Sequence, residues 1–441
     1  MKWKEKIKCV FRWTGLLLIA VQICSCEKST DNENDPDPDD DGSTEGIEIK
    51  VGSKTFTTNK YTAAGTPVVP MWDLPLFNPL IDDGTGGFEL LDNAEHASVW
   101  QPQSLAEGAY NHYACLAYHN GRFYAMWGNH QYGEDGPGQK VMWASSDEWG
   151  SWTGAEELFP SPGPMLPRDD NGIHLKPDRW AVIDDELYAI TYVVGAGTGY
   201  PIARQVHENG EIGEPFLVTP LPNNSGLPEY MDEEDHSGPP PVIGGRLRDW
   251  YDETDQVSWW AGGEWGVRRT GVDGQTLIEC FMYRAKDDNL VVMLRDWGHW
   301  NNPVHNNRIY VSFRSDDGGV WSAPYPSDIP DSPSRGEAVT LDDGTVLLIG
   351  NQIVNVFDRA EYLNRTPITV AISQDGYVFD RVYSLRANAP TTWRLAGGIG
   401  GRNPGFAYSS SLVHEGWLYT LYSIGKEDMG ITRVRLSDLG L

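Results

Sequence analysis

Eight short runs of apolar and aromatic residues recur along the chain: "GRFYAMWGN", "KVMWASSD", "ELYAITYVV", "NLVVMLRDW", "RIYVSFRSD", "GTVLLIGNQ", "ITVAISQDG" and "WLYTLYSIG". Gly, Asn or Asp turns separate them. Such runs are too short and too rich in Trp, Tyr and Val for helices, and helical periodicity is scarce elsewhere. The expectation is an all-β fold.

Three turns are related: "SSDEWGSW" at Ser145, "SDDGGVW" at Ser315 and "SQDGYVF" at Ser373. They resemble degenerate Asp-boxes, the turns of sialidase-like propeller blades, in which an Asp caps a hairpin over a packed aromatic. Ser315 and Ser373 are 58 residues apart and Ser145 and Ser315 are 170 apart, close to three such steps. A repeat of roughly 55 residues suits a four-stranded blade. The expectation is a sialidase-like β-propeller of seven blades, with the Asp-box residues structural.

"MKWKEKIKCVFRWTGLLLIAVQICSC" has a basic head and a short apolar run, as secretory signals do. Its end resembles a lipoprotein box, so residues 1–25 read as a lipoprotein signal peptide and Cys26 as the lipidated residue. The acidic stretch Glu27–Gly46 cannot bury enough apolar surface to offset its chain entropy. Residues 26–65 therefore read as a disordered tether, and residues 66–441 as one catalytic domain. The expected location is the outer membrane, held by the lipid alone and facing outward. Of five cysteines only Cys115 and Cys280 lie in that domain, which implies no disulfide framework. A formal net charge of -29 argues against nucleic acid. A polyanionic substrate would need basic residues gathered locally.

"YNHYACLAYHNGRFYAMWGNHQYGEDGPGQKV" reads as a hairpin turning at Asn120-Gly121. Folding it sets position 112 opposite 129 or 130, so His112 and His130 should approach, with Cβ atoms roughly 5–6 Å apart. Two imidazoles there suit proton transfer near neutral pH, and they equally suit a solvent-facing pair. Downstream, "ELYAITYVVGAGTGYPIARQV" puts Tyr188 in one strand and Arg204 in the next. A guanidinium fork suits a carboxylate; a blade salt bridge is the other reading.

That stretch, with "IPDSPSRGEAVTLDDGTVLLIGNQ", "RTPITVAISQDGYVFDRVYSLR" and "GWLYTLYSIGKEDMGITRVRLSDL", resembles the propeller enzymes of polysaccharide lyase families 24 and 25, ulvan lyases among them, and the related glycoside hydrolase family 145 rhamnosidases. The resemblance implies a lyase that β-eliminates a uronic-acid-containing polysaccharide, with His112, His130, Tyr188 and Arg204 as the catalytic set. Arg204, aided by His130, would neutralise the uronate carboxylate. His112 and Tyr188 would be base and acid, in either order. Many relatives carry a second histidine after the first where this chain has Tyr113, so neighbouring residues can exchange roles.

Tyr251 is a candidate sugar-stacking residue. Catalysis needs no cofactor. A structural zinc, which relatives can carry, would draw on Cys280 with His299 or His305. An acidic polysaccharide is the expected partner, and a monomer the expected state. The alternatives are an exo-α-L-rhamnosidase, with His96 as a counterpart histidine, and a noncatalytic glycan-binding lipoprotein. A sialidase fits less well, because sialidases hold the substrate carboxylate with three arginines. Arg122, in a turn, is the only arginine of the domain before Ser145.

Overall fold

A computed structural model describes residues 46–441 apart from 52–53, 79, 82, 168–171, 196–197, 224, 233–239, 255, 259–268, 298–307, 316–318, 354–364 and 396–402. The described chain enters through a hairpin of β1 (Ile47–Val51) and β2 (Lys54–Thr58), then two short strands, β3 (Glu89–Leu90) and β4 (Glu95–Trp100). The first blade is β5 (Tyr110–His119), β6 (Arg122–His130), β7 (Lys140–Ser146) and β8 (Glu156–Phe159). The second is β9 (His174–Ile183), β10 (Glu186–Gly195), β11 (Thr198–Val206) and β12 (Phe216–Leu217).

Helix α1 (Val242–Glu253) precedes the third blade, which is β13 (Arg269–Thr270), β14 (Thr276–Arg284), β15 (Leu290–Asp296), β16 (Arg308–Arg314) and β17 (Tyr325–Pro330). The fourth is β18 (Glu337–Thr340), β19 (Val346–Gly350), β20 (Ile368–Ser373) and β21 (Arg381–Arg386), with β3 added parallel to β21. The fifth is β22 (Phe406–His414), β23 (Trp417–Ile424) and β24 (Asp428–Arg435). Its outer strand is β4, paired antiparallel to β24. An early strand thus completes the last blade and ties the start of the described chain to its end.

Strands such as β15 and β19 are buried along their whole length, which is why they read as continuous apolar runs rather than alternating ones. Separate apolar layers fill the gaps between blades. One, around Trp143, Trp180, Tyr200 and Phe159, joins the first two; another, around Met293, Phe313, Leu348 and Phe379, joins the third and fourth. The turn at Ser373 behaves as its sequence suggests. Asp375 accepts the backbone N–H groups of Tyr377 (2.7 Å) and Val378 (3.0 Å), and Tyr377 packs beneath against Phe56 and Phe313.

Among the described residues the propeller has five blades, not the seven expected from the spacing. The spacing predicts seven only if blades fill the interval from Ser145 to Ser315. Among the described residues, the stretch from 218 to 268 holds α1 and no blade strand, although it has a blade's length of sequence.

Candidate functional site

One strand of each blade, β5, β9, β14, β18 and β22, packs against its counterparts in neighbouring blades around the axis, and four of these inner strands break register. β5 slips against β6 between His112 and Cys115, β14 against β15 between Ile278 and Phe281, and β22 against β23 between Ala407 and Ser410. In β9 the ladder skips Asp178. At three of the bulges a non-glycine residue takes left-handed backbone: Tyr113 at φ 63°, Glu279 at φ 51° and Tyr408 at φ 55°. Each such position costs on the order of 1–3 kcal/mol, and bulges re-aim side chains beside functional sites. Three strained polar residues at equivalent places in three blades mark the site.

Their side chains meet. The Tyr408 hydroxyl donates to Glu279 Oε1 at 2.5 Å. Arg295 Nη1 donates to Glu279 Oε2 at 2.6 Å and to the Tyr408 oxygen at 3.0 Å. All three are almost fully buried. Burial would raise the Glu279 carboxyl, but the charge of Arg295 and its hydrogen bonds outweigh this and hold it below its ordinary range. Burial and the neighbouring carboxylate push the Tyr408 phenol well up. At rest the proton is on the phenol, aimed at a carboxylate that can take it.

His112 packs on Tyr408 with ring centroids 4.0 Å apart. Its Nδ1 is 2.8 Å from Ser423 Oγ, and that hydroxyl donates to the Ala407 carbonyl at 3.1 Å. Nδ1 therefore carries the ring proton, and Nε2 offers a lone pair. Nε2 is buried and has no partner among the described residues, as do Nε and Nη1 of buried Arg365 and Nε of Arg295. Buried polar atoms are rarely left unbonded. Four such atoms around one tyrosine constitute a site waiting for a polar ligand. Burial, and then the cations Lys426, Arg365 and Arg295, keep His112 neutral by depressing its pKa.

A carboxylate pair borders this cluster on β6–β7 loop residues. Asp135 Oδ1 accepts from the Tyr113 hydroxyl (2.7 Å) and Lys176 Nζ (2.8 Å), while Glu134 Oε1 accepts from Lys426 Nζ (2.8 Å). Their side chains are 24% and 18% exposed, the most open carboxylates here. Burial opposes ionisation of Asp135, but the Lys176 charge wins and holds it ionised. Burial lowers Lys426 to about 8 and raises Asp331, near Arg295 and Arg365, to about 7.

The residues singled out from sequence scatter. His112 lies in the site. His130 does not pair with it: the bulge at Tyr113 shifts the ladder, so His112 faces Gly128 and His130 faces Tyr110. His130 Nδ1 accepts the N–H groups of Tyr132 and Gly133, and Nε2 donates to the Pro137 carbonyl at 3.1 Å. It shapes the loop that carries Glu134 and Asp135. His130→Ala is expected to lower stability by about 1–3 kcal/mol through the buried groups it leaves unbonded. Thermal unfolding checks this, and an unchanged Tm would refute it.

Tyr188 and Arg204 are corrected too. Tyr188 stands opposite Gln205 and Arg204 opposite Ala189, so they face opposite sides of the sheet. Tyr188 is walled into an apolar layer with Ile190 and Leu247, and burial raises its phenol rather than Arg204 lowering it. Arg204 spends its donors on the carbonyls of Gly213 and Leu158, both at 2.7 Å. The Tyr251 hydroxyl donates to buried Asp178, and its ring packs in the apolar layer of Tyr188 and Leu247. His96, on β4, bonds Thr432 Oγ1 at 2.8 Å, in the outermost strand of the last blade.

The Cys280 thiol is buried and lies 3.9 Å from the Ser258 carbonyl, with its pKa pushed up by burial to about 12. His299 and His305 lie outside the described residues, as does Cys26. No three His, Cys, Asp or Glu side chains among the described residues are grouped to hold a metal.

Sequence reasoning missed Glu279, Arg295, Arg365 and Tyr408. A trace existed: Glu279 interrupts the apolar "TLIECFMYR" and Arg295 ends the apolar "NLVVMLR". A charged residue inside a blade strand is costly unless partnered.

The BNR repeat-like domain family matches residues 130–420. Among curated proteins nothing matches. Of solved structures, one described as a sialidase superposes with a TM-score of 0.61 at 17% identity, over 83% of this chain and 35% of that one. This chain thus spans about a third of that protein, and the likeness is one of fold. A Trypanosoma rangeli sialidase gives a TM-score of 0.48 at 12% identity, covering 80% and 60%. A protein of unknown function from Dyadobacter fermentans gives 0.45 at 11%, covering 78% and 99%. The match over 130–420 and the ring of blades agree: this chain belongs to the BNR repeat-like domain family, on a sialidase-like propeller.

Proposed function

We propose that the protein hydrolyses glycans at a carboxylate-bearing sugar, through a covalent intermediate on Tyr408. One observation carries this reading: a buried phenol hydrogen-bonded to a carboxylate that Arg295 holds ionised, at two strained bulges. In the attack, Tyr408 Oη bonds to the anomeric carbon as its proton passes to Glu279 and the glycosidic C–O bond breaks. A neutral phenol suits a sugar acid, since an anionic nucleophile would be repelled by the substrate's own charge. Sialidases are the glycosidases known to use tyrosine this way. Arg365 and Arg295, with donors unfilled, would take the carboxylate. Water at the Glu134–Asp135 turn would protonate the leaving oxygen, and the hydroxide left there would release the sugar from Tyr408 as Glu279 returns the proton to the phenol. Lipid anchorage through Cys26 would place this activity at the cell surface.

A second reading keeps the uronate lyase with a changed residue set. The bare Nε2 of His112 favours it: a neutral imidazole beside Arg365 could take a C5 proton, with Tyr408 or Tyr113 protonating the departing oxygen. Products separate the two. On a panel of acidic oligosaccharides, ulvan fragments included, hydrolysis yields saturated acidic sugars. Elimination yields products with the ultraviolet absorbance of an unsaturated uronate, and their appearance would replace the first reading by the second.

A further inference from the structure

At the other ends of the same inner strands the axis opens again. There β5, β9, β14, β18 and β22 surround a cavity of about 440 Å³, with Trp250 of α1 and Gln256 at its wall. That volume suits a small ligand. The candidate site uses the N-terminal ends of these strands; the cavity uses residues nearer their C-terminal ends, such as Leu116, Arg179 and Arg284.

The polar groups here are not spent on one another. Arg179 gives Nη1 to Gln256 Oε1 (2.7 Å) and Nε to the Val257 carbonyl (3.1 Å), which leaves Nη2 without an acceptor among the described residues. Glu337 accepts the Ser411 N–H on Oε2 (2.8 Å), and its Oε1 has no donor among the described residues. The two opposite charges line one cavity without closing onto each other. Two indoles, Trp180 and Trp250, share the wall. A guanidinium edge, a lone carboxylate oxygen and aromatic surface together match a sugar acid: one group for its carboxylate, one for its hydroxyls, one for its C–H face.

We propose that this cavity is a second, noncatalytic saccharide site for a carboxylate-bearing sugar unit, held by Arg179, Glu337 and Trp250. It rests on the proposed function only for the choice of an acidic sugar. A polymer gripped at both ends of the axis would be retained through effective concentration.

The test is calorimetric titration of the full chain carrying Tyr408→Phe with cellobiouronic acid, with cellobiose as the neutral control. Two binding events are expected for the acid. Arg179→Met and Glu337→Gln should each weaken one of them about tenfold or more and leave the other, which Arg365→Met removes. Glu337→Gln, nearly isosteric, carries the test if Arg179→Met lowers Tm. A single event, indifferent to both substitutions, would overturn the proposal, and so would equal binding of cellobiose. Failure here leaves turnover at Tyr408 untouched, and loss of chemistry at Tyr408 leaves in place the event that Arg179→Met and Glu337→Gln weaken.

Discussion

Tyr408→Phe is expected to lower glycoside turnover by about 10⁴-fold or more, because it removes the attacking atom itself. The change deletes one oxygen and keeps the ring that packs on His112. Unfolding should therefore stay cooperative, and substrate should still bind. Glu279→Gln should follow the same pattern, since an amide cannot accept the phenol's proton. Steady-state kinetics on any substrate accepted by the parent chain decides the matter. Near-normal turnover in Tyr408→Phe, together with loss in His112→Ala, would move the chemistry to the imidazole.

The second large effect falls on recognition. Arg365 is buried, and among the described residues Nε and Nη1 have no acceptor while Nη2 is spent on the Pro333 carbonyl at 2.6 Å. Desolvation disfavours its charge, and nearby Arg295 adds to this. Such a residue costs the free protein stability and returns it when an anion arrives. Arg365→Met is expected to cost about 2–5 kcal/mol of transition-state binding, or roughly 30- to 4,000-fold in kcat/KM. Tm should hold steady or rise. Lysine should not rescue, because a point charge cannot reproduce a planar fork. On a substrate whose carboxylate is methylated, parent and variant should converge. A lowered Tm with unchanged kcat/KM would make Arg365 a structural residue.

The two effects share a cause that also sets how much could be read from the chain. Blade strands announce themselves, because "VVMLR" or "VLLIG" suits a fully buried strand and little else. The Asp375 turn was legible for a similar reason: a short carboxylate two and three residues before two amides caps them locally. Blade number was not legible, because an insertion around α1 and a blade occupy comparable lengths of sequence.

Of the catalytic set expected from sequence, His112 alone lies in the site, beside Tyr113. Its partners come from the third, fourth and fifth blades, and what aims them is a set of bulges. A bulge adds one residue to a strand and leaves no reliable mark in composition. The same slip misled the reading of the hairpin. Counting back from Asn120-Gly121 gives the true register as far as Cys115, and the extra residue at Tyr113 then carries His130 away from His112. Tyr188 and Arg204 failed on strand alternation. Their places in the chain suited the lyase resemblance, but the β10–β11 register turns them to opposite faces.

The most direct measurement is to quench the full chain during turnover of an accepted acidic glycan and locate modified residues by peptide mass spectrometry. One glycosyl unit on the Tyr408 peptide, absent from Tyr408→Phe, is the predicted result. An unmodified Tyr408 alongside accumulating unsaturated uronate would contradict the account.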